Sequence, residues 1–169
     1  MPEQDLRPPR RTLEEELPPN PPAPYVELGL ASCFSFLRGA SEAVDLVARA
    51  AALGHHAIGI ADHNTMAGVV RLHAAARKAG MRPVIGCTLE LLCGARFLAY
   101  PTDRATYGRL CALLSKGKMH DADGAWQAKG ACDLTLEDLA RHAEGVILIA
   151  RPDSDLDLFE ARLPRLRRA

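Results

Sequence analysis

Three features of the sequence predict an α/β fold with a parallel sheet. Short, uninterrupted apolar runs recur at Ala57–Ala61 and Gly145–Ala150, and runs of this length and character suit buried strands. Helical segments with recognisable ends lie between such runs. The order is strand, helix, strand, helix, which is how parallel sheets are built.

Taken in order, residues 1–24 hold eight of the 12 prolines and a Glu14-Glu15-Glu16 run. Such a stretch has little apolar surface to bury, so it is expected to be a disordered leader, with one folded domain over 25–169. Tyr25 to Leu30 alternates imperfectly and reads as a short strand, followed by the loop SCFSFLRGAS. Ser41 is placed to cap a helix, Glu42 and Asp45 suit its positive end, and Gly54 is placed to stop it. Ala57–Ala61 is the next strand, and the polar turn Asp62-His63-Asn64 follows it. A second helix is predicted from about Met66 to Ala79, ending at Gly80. MRPVIG reads as a third strand, and CTLELL and ARFLAY, separated by Cys93-Gly94, as a hairpin. Asp103 caps a helix in which Tyr107, Leu110, Cys111 and Leu114 recur at helical spacing. Lys116 to Gly130 is polar and reads as a mobile loop. Thr135 and Asp138 resemble a capping box. GVILIA gives a fourth buried strand, and Asp153 to Arg168 a last helix, acidic at its start and basic at its end.

The 169 residues suit one domain, 48% hydrophobic and 25% charged, as in ordinary soluble proteins. Lys+Arg and Asp+Glu balance at 21 each, so the basic surplus of a dedicated nucleic-acid binder is missing. The five cysteines form no Cys-x-x-Cys, and they read as reduced thiols of a cytoplasmic protein. No apolar run is long enough to span a membrane, and the polar, proline-rich N-terminus does not suit a secretory signal.

In parallel α/β folds the default site lies just past the C-terminal ends of the strands, which singles out Asp62 and His63. A carboxylate beside an imidazole can bind a divalent metal. The plain alternative is a strand-to-helix turn, with Asp62 capping the helix and His63 solvated. His55, His56, His73, His120 and His142 read as surface or packing residues, and Cys87 as a core thiol. Trp126, alone in a polar loop, is open between a contact surface and a loop anchor. Ser32 and Ser35 lie near no identified histidine base, so a nucleophilic triad is unsupported. Arg104, Arg109, Lys116 and Lys118 make a modest basic face, read as a solvated helix end.

The run from YVELGLASCFSFLRGAS through ADHNTMAG to MRPVIGC resembles the opening of the PHP domain (polymerase and histidinol phosphatase). FSFLRGAS, YPTDRATYGRLCALLSKGK and LTLEDLARHAEGVILIA resemble the error-prone branch of the bacterial C-family DNA polymerases. The resemblance runs from about Tyr25 to about Arg168. It implies a partial distorted β/α barrel, with parallel strands alternating with helices plus one hairpin, and metals at the strand ends that hydrolyse phosphoesters in active relatives. Active members open with His-x-His before an S-x-F/Y-S stretch. Here Ser32-Cys33-Phe34-Ser35 keeps the stretch, while Gly29 and Ala31 stand at the histidine positions. Thr88 occupies a position where a carboxylate is expected, and Glu90, facing the same side two residues on, is a candidate substitute. Later ligands, and the carboxylates of a polymerase palm, are expected beyond residue 169.

The resemblance therefore implies the front part of a PHP domain that works as a non-catalytic module of an error-prone polymerase in damage-associated translesion synthesis. Asp62 and His63 remain as a degenerate zinc or manganese site with no metal expected to be held tightly. The implied partner is the remainder of the polymerase, with DNA met only indirectly, no membrane, and self-association through an open sheet edge. A metal-dependent phosphoesterase with an altered ligand set is the rival reading, and Gly29 and Ala31 favour the first.

Overall fold

The computed structural model describes residues 25–121, 123–152 and 156–166. The expectation for the 1–24 leader lies outside these residues. The elements run α1 (Ala43–Ala52), β1 (Ala57–His63), α2 (Val69–Lys78), β2 (Arg82–Glu90), β3 (Arg96–Pro101), α3 (Arg104–Met119), α4 (Leu136–His142), β4 (Val146–Arg151) and α5 (Leu156–Leu166).

Among the described residues the sheet has the order β1-β2-β3-β4. β1 pairs parallel with β2, and β3 lies antiparallel to both β2 and β4. β1, β2 and β4 therefore run in one direction, as the α/β reading requires, but the hairpin strand β3 stands between β2 and β4. β4 was expected as a buried strand. Its residues instead alternate between half-buried and exposed, because only one face of it is covered.

Strand alternation sorts the sheet into two faces. Ile58, Ile60 and Ile85 meet α1 and α2 on one face, and Cys87, Leu89, Phe97 and Ala99 meet α3 and α4 on that same face. Burial pushes the Cys87 thiol well up, consistent with an inert core residue. The other face carries His63, Thr88, Glu90, Leu98, Tyr100, Ile147 and Ile149, and at β4 it is open, with Ile147 55% and Ile149 40% exposed.

Several expected boundaries shift. Tyr25 to Leu30 is extended but is not a regular strand: Gly59 donates to the Glu27 carbonyl and Ala61 to that of Leu30, so the register slips between the two bonds. Ser41 does not cap α1, whose N-cap is Glu42, with no side-chain capping bond. MRPVIG and CTLELL are largely one continuous strand, β2. α3 continues through Lys116 to Met119, so the expected loop begins later, at His120. There Trp126, 77% exposed, bridges and stacks on His120 with ring centroids 5.1 Å apart.

Local chemistry sets the other ends. Gly54, at φ 78°, closes α1 with the His55 amide donating to Ala50, a left-handed cap that glycine adopts without strain. Asp103 accepts from the Thr106 amide at 2.7 Å, and Thr135 and Asp138 form the reciprocal capping box. Lys116 pairs with Asp138, tying α3 to α4, and Arg109 donates to the Glu144 carbonyl. Two cations of the supposed basic face are thus committed to structure.

Candidate functional site

Asp62 and His63 lie inside β1 rather than on a turn after it, and this decides where they point. Adjacent strand residues face opposite ways. Asp62 enters the helix side and His63 the open side.

Asp62 is 1% exposed and caps no helix; the N-cap of α2 is Gly68. Its carboxylate accepts the Ser32 amide at 2.7 Å and the Ser35 hydroxyl at 2.7 Å. The Ser32 hydroxyl lies within reach of both carboxylate oxygens, at 2.8 and 3.0 Å. The Ser35 Oγ in turn accepts the His63 amide at 2.9 Å. A buried carboxylate is tolerable only when its lone pairs are satisfied, and these serines, with the Ser32 amide, satisfy them.

His63 faces Glu90, its Nε2 against Glu90 Oε2. Arg38 contacts the same oxygen at 3.2 Å. The hydrogen bond to His63 holds the Glu90 carboxyl below the usual carboxylate range; partial burial pushes the other way, and Arg38 adds to the lowering. Asn64, at φ 47°, ends β1 and accepts the Glu90 amide at 3.0 Å. Its own amide donates to the Thr88 carbonyl at 2.8 Å. Thr88 spends its hydroxyl on the Ala61 carbonyl. Arg38, His63, Asn64 and Glu90 line a cleft of about 740 Å³ bounded also by Phe34, Phe36, Thr65 and Lys118.

Of the candidate metal ligands singled out in the sequence, His63 and Glu90 are brought together, while Asp62 is held instead by Ser32 and Ser35. Gly29 is exposed, its amide donating to the Glu27 side chain. His55 packs its ring at a tilt against Tyr25, His73 is exposed on α2, and His142 bonds the Asp138 carbonyl. The roles of Ser32, Ser35 and Arg38 were not visible in the sequence.

The match to known proteins follows the same residues. The sequence profile of the PHP domain covers residues 27–165. This chain belongs to the PHP domain family. It is 44% identical over 145 residues to error-prone DNA polymerase 1 of Agrobacterium fabrum, a match covering 86% of this chain and 13% of that protein. It is 45% identical over 147 residues to the error-prone DNA polymerase of Caulobacter vibrioides, again 86% and 13%. The chain thus spans about one-eighth of the length of these curated relatives. The fold is shared with a Bifidobacterium adolescentis protein described as a candidate metal-dependent phosphoesterase, with a TM-score of 0.56 at 14% identity over 77% of this chain and 68% of that one.

A catalytic zinc usually takes three protein ligands and one open position. In this PHP domain the donors do not fit that requirement. Asp62 faces away and is saturated, His63 and Glu90 make two ligands, and Gly29 and Ala31 offer no side-chain donor. Among the described residues no group of three or more His, Cys, Asp or Glu is placed to hold a metal ion.

Proposed function

We propose that this chain is the PHP portion of a bacterial error-prone DNA polymerase acting in damage-associated translesion synthesis, and that this portion is a non-catalytic structural module. The observation that carries the reading is the saturation of Asp62 by Ser32 and Ser35. A residue that could ligate a metal is instead a structural anchor. The similarity to error-prone polymerases supports the parentage. A second reading, a metal-dependent phosphoesterase with altered ligands, draws on the cleft beside His63 and Glu90.

Elemental analysis separates them. Protein stripped with chelator and reloaded with zinc or manganese is expected to retain no stoichiometric metal and to leave a chromogenic phosphodiester intact. One retained ion per chain, with turnover abolished by His63→Ala, would establish the phosphoesterase instead.

The partner of such a module is the rest of the polymerase. The outer edge of β4 and the exposed Ile147 and Ile149 beside it are the features that an additional element would cover. The isolated chain is therefore expected to self-associate, with sedimentation coefficients that rise with concentration. Ile147→Lys together with Ile149→Lys should return it toward a monomer, since inward or edge charges oppose strand pairing. A concentration-independent monomer in the unaltered chain would remove this partner assignment.

A further inference from the structure

The cleft holds a cation of the chain's own. His63 and Glu90 form the kind of imidazole and carboxylate pair that zinc uses, yet the group that completes it is a guanidinium. Arg38 reaches the very Glu90 oxygen that His63 contacts. We propose that Arg38 stands in for a metal at this site, a permanent internal cation that closes the His63 and Glu90 pair and keeps divalent ions out. The inference rests on the non-catalytic reading and goes further, because it assigns what replaced the metal.

The loop carrying Arg38 is built to deliver it. Its first half is fastened to Asp62 through Ser32 and Ser35. The Arg38 and Gly39 amides both donate to the Ser35 carbonyl, at 2.8 and 2.9 Å. Leu37, between Ser35 and Arg38, sits at φ 61°, a left-handed conformation uncommon for a leucine. Gly39 presses so close that a Cβ there would lie 2.3 Å from the Ser32 carbonyl oxygen. The strained turn at Leu37 and the tight seat at Gly39 bring Arg38 back over the cleft toward Glu90. Asp62 is then the anchor of this loop, and its saturation by serines and the placement of Arg38 are one arrangement.

The chemistry follows from the groups. A guanidinium is always charged, carries only donors and cannot ligate a metal. Beside Glu90 it both occupies a carboxylate lone pair and repels an incoming divalent cation. Removing it should uncover a weak two-ligand site.

The test is zinc binding to the whole chain, read by competition with a colour-changing chelator and by cobalt absorption. Arg38→Met and Arg38→Gln should each bind zinc roughly tenfold more tightly than the unaltered chain, the scale of one lost charge-assisted hydrogen bond. Arg38→Met combined with Glu90→Gln should lose that gain, and Arg38→Lys should resemble the unaltered chain. In the unaltered chain, neither saturating zinc nor chelator should shift the thermal midpoint. A midpoint that rises with zinc in the unaltered chain, or a gain that survives Glu90→Gln, overturns the assignment. Phosphodiester turnover by the unaltered chain sinks the non-catalytic reading itself. Absence of turnover together with no zinc gain in either neutral variant sinks the role of Arg38 alone.

Discussion

Asp62→Ala is expected to lower the unfolding free energy by about 3–5 kcal/mol, the cost of leaving several buried hydrogen-bond donors without their acceptor. The side chain is 1% exposed, so the donors that it accepts from lie away from bulk water. Its removal leaves the Ser32 amide, the Ser32 hydroxyl and the Ser35 hydroxyl without their acceptor. Each orphaned buried donor costs on the order of 1–3 kcal/mol, although hydroxyls can turn elsewhere and the costs do not simply add. Asp62→Asn should cost less, roughly 1–2 kcal/mol, since its carbonyl can still accept the amide and a hydroxyl can accept from its NH2. Urea unfolding of the purified chain measures both. If Asp62→Ala shifts stability by less than 1 kcal/mol, the carboxylate is not an anchor, and a ligand role regains standing. Loss of the anchor should also free the Arg38 loop, so amide exchange in residues 33–39 should quicken even where the variant remains folded.

The parts of this molecule legible in the sequence are those fixed by neighbours a few residues apart. Asp103, the Thr135 and Asp138 pair, and Gly54 act within one helical turn, and each does what its local chemistry dictates. The hairpin between β2 and β3 was likewise announced by Cys93-Gly94. What escaped depended on partners far along the chain. Asp62 and His63 read as a turn because polar residues end strands, yet β1 continues through them because Ser32, 30 residues away, satisfies Asp62 and the β2 backbone pairs with both positions. β2 read as two pieces because Gly86 resembles a break. That glycine is instead needed where the Tyr100 ring packs across the strand, 2.5 Å from where a Cβ would stand. β4 read as buried because its run is apolar, but apolarity does not say that a second face is covered. At the site, the missing histidines at Gly29 and Ala31 were visible, and so was the candidacy of Glu90. The contribution of Arg38 was not, since it depends on a left-handed turn at Leu37 that no propensity would assign to leucine.

Gly68→Ala gives the second large effect, and here the sequence and the structure predict opposite signs. Gly68 adopts φ −77° and ψ −14°, a conformation alanine tolerates freely, and at such positions the exchange ordinarily stabilises by about 0.4–1 kcal/mol through the unfolded chain. The packing forbids it. A Cβ at this position would stand 2.3 Å from Asp62 Oδ2, 2.7 Å from Ile60 Cδ1 and 2.7 Å from Ser32 Oγ. None of these groups is a free side-chain end. The carboxylate is held by Ser32 and Ser35, and Ile60 is wholly buried. Either α2 must lift from β1 or the serine network must distort, and overpacking of this kind costs about 2–3 kcal/mol. The net expectation is destabilisation by roughly 2 kcal/mol after the entropic gain is subtracted. Combining Gly68→Ala with Asp62→Ala identifies the cause, because shortening Asp62 opens the space that the new methyl needs. The cost of the double variant should then fall short of the sum of the two single costs by at least about 1 kcal/mol, the coupling expected of residues in direct contact. Strict additivity in urea unfolding would mean that Gly68 is required for some reason other than its approach to Asp62, and a stabilised Gly68→Ala would mean that the start of α2 does not press on the carboxylate at all.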